Sequence, residues 1–123
     1  MEHTMSPAIH NTLAEALGEN LAYVPFRVPA GAAGEAVRGA YALNLLGMNV
    51  TVPSKSEVIP FLKETDPLAE PIGAVNTLVR TEGGFKGYNT DMPGLYRAMC
   101  EDGVKIEGED VLILGAGGVA RAV

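Results

Sequence analysis

Two β-rich runs, Leu21 to Val28 and Asn49 to Val52, stand on either side of a stretch with helical spacing. That order constrains the fold more than any other feature of the sequence. In the stretch between, Val37, Ala40, Leu43 and Leu46 recur at the period of one helical face, and Gly47 offers a stop, which predicts a helix from about Ala33 to Leu46. A strand, a helix and a second strand in this sequence imply a parallel pair joined by a right-handed crossover. Pro25 places the first run at a sheet edge or a bulge, because proline cannot donate to a ladder. The second run stops at Pro53 and is followed at once by Ser54 and Lys55. In open α/β sheets ligands sit beyond the carboxyl ends of strands, so Thr51 and Lys55 are candidates to face one. A solvated lysine after an ordinary strand is the other reading of the same residues.

Composition narrows the partners. The 123 residues are enough for one modest domain with a real core, 47% of them hydrophobic and 20% charged. A formal net charge of −6 without any basic run argues against nucleic acid and anionic membranes. Small molecules are then the expected partners. No apolar stretch approaches a membrane span and the N-terminus lacks a signal-peptide core, which predicts a cytoplasmic protein. The single Cys100 lies among helix formers with no neighbouring base to activate it, and reads as a packing residue. No metal-ligand spacing is present.

Ser6-Pro7 reads as a helix start, a capping hydroxyl followed by proline in the first turn, with Ile9, Leu13, Ala16 and Leu17 on one face and Gly18 as the stop. Thr4 and Ser6 precede the positive end of that helix, where a carboxylate could bind; taken alone, the residues favour a plain cap for Ser6 and a solvated loop residue for Thr4. Ser56 to Leu62 predicts a short helix limited by Pro60. Gly73 to Arg80 and Gly84 to Asn89, flanking Glu82-Gly83, form a hairpin signal. Asn76 reads as a strand-end or bulge residue, since asparagine is depleted in strand interiors. Asp91 stands just ahead of Met92-Pro93-Gly94, where a helix through Leu95 and Met99 begins. Capping accounts for a carboxylate there; a catalytic role requires a partner amine, and Lys55 qualifies only if the fold joins the two strand ends.

Val111 to Leu114 is a fully apolar run of the kind found in buried parallel strands. Gly115-Ala116-Gly117-Gly118-Val119-Ala120 follows it directly, the G-x-G-x-x-A form of a dinucleotide fingerprint in its strand-then-helix setting. Gly115 would allow the tight turn and Gly117 the close approach of backbone to a pyrophosphate.

Five segments now stand in order: His3-Thr4-Met5-Ser6-Pro7 with Ile9-His10-Asn11, Asn49-Val50-Thr51-Val52-Pro53-Ser54-Lys55, Gly73-Ala74-Val75-Asn76-Thr77, Gly87-Tyr88-Asn89-Thr90-Asp91, and Gly115-Ala116-Gly117-Gly118. In this order the chain resembles the N-terminal part of the shikimate dehydrogenases, which reduce 3-dehydroshikimate to shikimate with NADPH. The resemblance implies an α/β fold, a three-layer α/β/α domain whose mostly parallel sheet contains one antiparallel strand. It assigns residues 1–92 to the shikimate-binding catalytic domain, 93–107 to a linking helix and loop, and 108–123 to the first strand and turn of an NADP-binding Rossmann domain. It further implies Lys55 and Asp91 as the acid–base pair, Thr4 and Ser6 as ligands of the substrate carboxylate, and Thr51, Lys55, Asn76 and Asp91 as ligands of ring hydroxyls. Gly115, Ala116, Gly117 and Gly118 would hold the NADP pyrophosphate.

The chain departs from the family pattern at Thr4, where serine is usual, and at Ser54, where histidine is frequent. It also lacks the strand that precedes the His3 segment in family members and most of their nucleotide domain. That brevity sets three expectations: open sheet edges, little turnover by this polypeptide alone, and a homo-oligomer formed by exchange through Val111 to Leu114. A non-catalytic module is the alternative to an enzyme.

Overall fold

A computed structural model describes residues 4–115 and residue 120. Helix α1, Ser6–Leu17, is followed by an irregular segment, then by helix α2, Ala33–Ala42, and strand β1, Gly47–Asn49. A single 3-10 turn at Ile59–Phe61 precedes the short strand β2, Glu64–Thr65; the hairpin β3, Thr77–Thr81, and β4, Gly84–Tyr88, leads into helix α3, Asp91–Glu101. The sheet order is β1-β3-β4-β2. β3 runs antiparallel to both β1 and β4, while β2 is parallel to β4. Three strands therefore share one direction and β3 alone opposes them, the mixed α/β arrangement expected from the sequence.

The three helices stop in the same way. Gly18, Asn44 and Gly103 adopt φ of 71°, 58° and 72°. In each case the next amide reaches back to the carbonyl five residues earlier: Glu19 to Ala14, Leu45 to Ala40 and Val104 to Met99. This is the Schellman closure, which satisfies orphan carbonyls with one left-handed residue. It closes α2 after Ala42, ahead of the Gly47 stop expected from the sequence, so Leu43 and Leu46 fall outside the helix and are exposed. Gly47 has another use. Its Cα lies so near β3 that a Cβ there would meet the Leu78 carbonyl oxygen at 2.6 Å.

The core lies between α2 and one face of the hairpin. Ala33, Val37 and Ala40 on α2 meet Val58, Ala69, Val75, Leu78 and Phe85. Alternation does the sorting in β4, where Phe85 and Gly87 are buried and Lys86 is half-exposed. A smaller cluster joins Ile72 and Ala74 to Met92, seating the start of α3.

Three expectations fail. Leu21 to Val28 forms no ladder, so the parallel pair with a crossover is absent; the second strand falls at Gly47–Asn49, so that only Asn49 of the expected Asn49 to Val52 run lies in it, and it pairs antiparallel with β3. Pro25 has no N–H to give, and no strand lies beside the segment among the described residues. The Asn11 side chain stands in for one: its Oδ1 accepts from the Tyr23 amide at 2.7 Å and its Nδ2 donates to the Tyr23 carbonyl at 2.9 Å. Val111 to Leu114, expected as a buried first Rossmann strand, likewise pairs with no strand among the described residues, with Leu112 and Leu114 exposed at 84% and 89%. A parallel strand has no ladder of its own until neighbours flank it. Cys100, read as a packing residue, is exposed, because no residue of α3 is buried.

Candidate active site

One row of the sheet organises the site. Asn49, Thr77 and Tyr88 sit opposite one another across β1, β3 and β4. The residues just past that row are Val50 to Lys55 after β1, Asn76 before β3, and Asn89 to Asp91 after β4. All lie at the carboxyl end of the parallel-directed strands, the end at which open sheets bind ligands. Backbone bonds fix the three segments to each other. Val50 donates to the Asn76 carbonyl at 2.8 Å, Val75 to the Lys55 carbonyl at 2.8 Å, and Asn76 to the Tyr88 carbonyl at 2.9 Å.

On that frame Lys55 Nζ stands 2.6 Å from Asp91 Oδ2, across 36 residues of sequence. The two side chains keep 16% and 32% of their surface exposed, so the pair is sheltered yet open on one side. The other carboxylate oxygen, Asp91 Oδ1, accepts from Asn76 Nδ2 at 2.8 Å. Asp91 is also the first residue of α3, where the helix dipole favours negative charge.

The Asn76 amide has one defensible orientation. Its Oδ1 accepts the Thr90 backbone N–H at 3.0 Å and the Thr77 hydroxyl at 3.0 Å. A backbone N–H can only donate, so the oxygen must face it and the NH2 group must face Asp91. Asn49 continues the network, with Nδ2 near the Asn76 carbonyl and Thr77 Oγ1 at 3.4 and 3.3 Å and Oδ1 accepting from the Tyr23 hydroxyl at 3.0 Å.

Of the residues expected from the sequence, Lys55, Asn76 and Asp91 meet in one hydrogen-bonded cluster. Thr51 is exposed and its carbonyl accepts the Ser54 amide, closing the turn that brings Lys55 round. Ser6 is the first residue of α1 and does not cap it: the bond at that end runs from the Ser6 amide to Thr4 Oγ1, at 3.3 Å. No hydrogen bond ties Thr4, Ser6 or Thr51 to the cluster among the described residues. Gly115 has φ +124° with nothing within 4 Å of a would-be Cβ, a turn that glycine makes readily, on an open side. Ala116, Gly117 and Gly118 lie outside the described residues. Thr77, Thr90 and Asn49 carry the network yet had no role in the sequence reading. Their signal was the spacing of polar residues at strand ends, which becomes meaningful only once the register is known. Among the described residues no group of three potential ligands could hold a metal, and no helix is long and apolar enough to cross a membrane.

The described residues thus form an α/β domain with a lysine–aspartate pair at the carboxyl edge of its sheet. Comparison with known proteins makes this specific. The family model described as the shikimate dehydrogenase substrate binding domain matches residues 1–78. The shikimate dehydrogenase (NADP(+)) of Desulforamulus reducens is 48% identical over 124 residues, covering all of this chain and 43% of that protein. The crystal structure of shikimate dehydrogenase from Aquifex aeolicus superposes with a TM-score of 0.93 at 38% identity, covering 99% of this chain and 46% of the other. That of the Thermus thermophilus enzyme in complex with NADP(H) and shikimate gives 0.89 at 37% identity, with the same coverage. The chain belongs to the shikimate dehydrogenase family and spans less than half the length of these relatives.

Proposed function

We propose that this chain is the substrate-binding part of an NADP-dependent shikimate dehydrogenase, with Lys55 and Asp91 as its acid–base pair. The observation that carries the reading is the 2.6 Å contact between Lys55 Nζ and Asp91 Oδ2 at the carboxyl edge of the sheet. In this reading residues 1–92 are the substrate domain, 93–107 the link and 108–123 the start of the nucleotide domain. Bound NADPH supplies the hydride. Gly115, with its open φ +124° turn, fits the beginning of a pyrophosphate cradle that Ala116, Gly117 and Gly118 would complete.

The protein's own groups handle charge and position. Reducing a ketone leaves negative charge on its oxygen, and the Lys55 ammonium supplies the proton; the resulting amine accepts one in the reverse direction. Asp91 holds the ammonium through Oδ2 and keeps its other oxygen on Asn76, so the lysine stays aimed while its proton count changes. Lys55, Asp91, Asn76 and Thr51 are assigned to the ring hydroxyls of shikimate or 3-dehydroshikimate. Asn76 arrives at that task with both amide hydrogens engaged, to Asp91 Oδ1 and to Thr90 Oγ1 at 2.9 Å, so a hydroxyl must replace one of these partners. Thr4 and Ser6, at the positive end of α1, take the substrate carboxylate.

A second reading is favoured by the exposed, unpaired Val111 to Leu114 segment: a substrate-binding module without turnover that self-assembles by strand exchange. NADPH oxidation in the presence of 3-dehydroshikimate, run beside shikimate binding, separates the two. Turnover that drops about 10²–10⁴-fold in Lys55→Ala, with shikimate affinity changed far less, supports the enzyme. Shikimate binding by an oligomer without turnover supports the module. A chain that does neither overturns both substrate assignments.

A further inference from the structure

Asn89 is a buried polar side chain, 6% exposed, and it bridges the two segments that carry Asp91 and Asn76. Its Oδ1 accepts the backbone N–H groups of Asp91 at 2.9 Å and Met92 at 3.3 Å. Its Nδ2 donates to the Ala74 carbonyl at 3.0 Å, two residues before Asn76. The oxygen thus fixes where α3 begins, and the nitrogen fixes the approach to β3. A capping residue needs only the first of these contacts.

We propose that Asn89 is a positioning residue for the Lys55–Asp91 pair, acting through the Asp91 backbone on one side and the Ala74–Asn76 strand on the other. The two ends of one buried amide continue the tie between the segments beyond the last backbone bond, from Asn76 to the Tyr88 carbonyl, and the spacing there decides whether Asp91 can hold Lys55 and Asn76 together. Asn76 Nδ2 and Asp91 Oδ1 are 2.8 Å apart, so a displacement of the two segments by about 1 Å takes this contact out of hydrogen-bonding range. The proposal rests on the reading of Lys55 and Asp91 as the acid–base pair only for its consequence in catalysis. The geometry it asserts is independent of turnover.

The test compares Asn89→Ser and Asn89→Asp, both of which keep an acceptor for the helix amides and so keep the cap. Serine is too short to reach Ala74, and aspartate presents an oxygen to the Ala74 carbonyl where the amide presented N–H. The readout is the scalar coupling across the hydrogen bond between Lys55 15Nζ and Asp91 13Cγ in the isotope-labelled protein, with the amide spectrum reporting the fold. The expected result is a cross-peak in the wild type that is lost in both variants while the amide spectrum stays dispersed. A cross-peak of wild-type strength in either folded variant overturns the proposal. So does loss of the fold in both, which would make Asn89 a residue of stability and not of position. Turnover of 3-dehydroshikimate that Lys55→Ala leaves unchanged, with the coupling intact in the parent chain, would count against the acid–base reading and leave this one standing.

Discussion

At the scale of single residues, Asn76 concentrates more polar contacts than any neighbour. Replacing it with alanine leaves one oxygen of the half-buried Asp91 without its partner, and a buried polar group left unpaired costs about 1–3 kcal/mol. Urea unfolding of Asn76→Ala should show a loss of that size. Lys86 makes a different prediction, through pH. Its hydrogen bond to Glu64, 3.1 Å away, holds its ammonium above the usual lysine range. A raised value means that the folded state holds the proton more tightly than the unfolded chain. The small stabilisation is therefore complete below the ordinary lysine range and fades as pH climbs through the raised value; in Glu64→Gln the Lys86 side-chain titration followed by NMR should move down. The lysine and the aspartate of the proposed pair were both legible as candidates in the sequence, because each follows a strand signal. Their contact was not legible, since 36 residues separate them and periodicity carries no information on which strands lie side by side.

At the scale of elements, two fastenings decide how α2 and β1 sit on the hairpin. Arg80 on β3 places its guanidinium 3.9 Å from the Tyr41 ring centroid, donates to the Tyr41 carbonyl at 2.8 Å and reaches Asn44 Oδ1 at 3.0 Å. It clasps the end of α2 by its planar face and its fork together, which lysine cannot do. Arg80→Lys should therefore lower the urea midpoint by about as much as Arg80→Ala, a comparison that removes charge from the question. Gly47 fastens β1 by having no side chain. In Gly47→Ala the new carbon meets a backbone oxygen, which cannot rotate away, so β1 must shift; overpacking of this kind costs about 1–3 kcal/mol and should appear as a lower midpoint at unchanged slope. The hairpin was the element most readable in advance, through Glu82-Gly83 between two alternating runs. Leu21 to Val28 was misread for the converse reason: β propensity describes what a residue tolerates, and a strand exists only where a neighbour completes its hydrogen bonds.

At the scale of the molecule, apolar surface is the outstanding property. Met5, just ahead of α1, and Ile9, Leu13 and Leu17 within it recur every four residues, and all are more than half exposed. With Val111 to Leu114 open as well, the chain should associate in solution. Light scattering at micromolar concentration should give a mass above that of one chain, and Leu112→Asp with Leu114→Asp should reduce it if the exchange runs through that segment. A monomer in the parent sequence would sink the assembly expectation.

The strand order β1-β3-β4-β2 has a consequence in time. Among the described residues β1 pairs only with β3, and β2 only with β4, so no ladder seen in this sheet can form from the first 76 residues alone. A chain emerging from the ribosome at about 5–20 residues per second carries Lys55 for seconds before any strand exists to hold it. The lysine is made early, and the register that gives it a carboxylate arrives with the last strand of the hairpin.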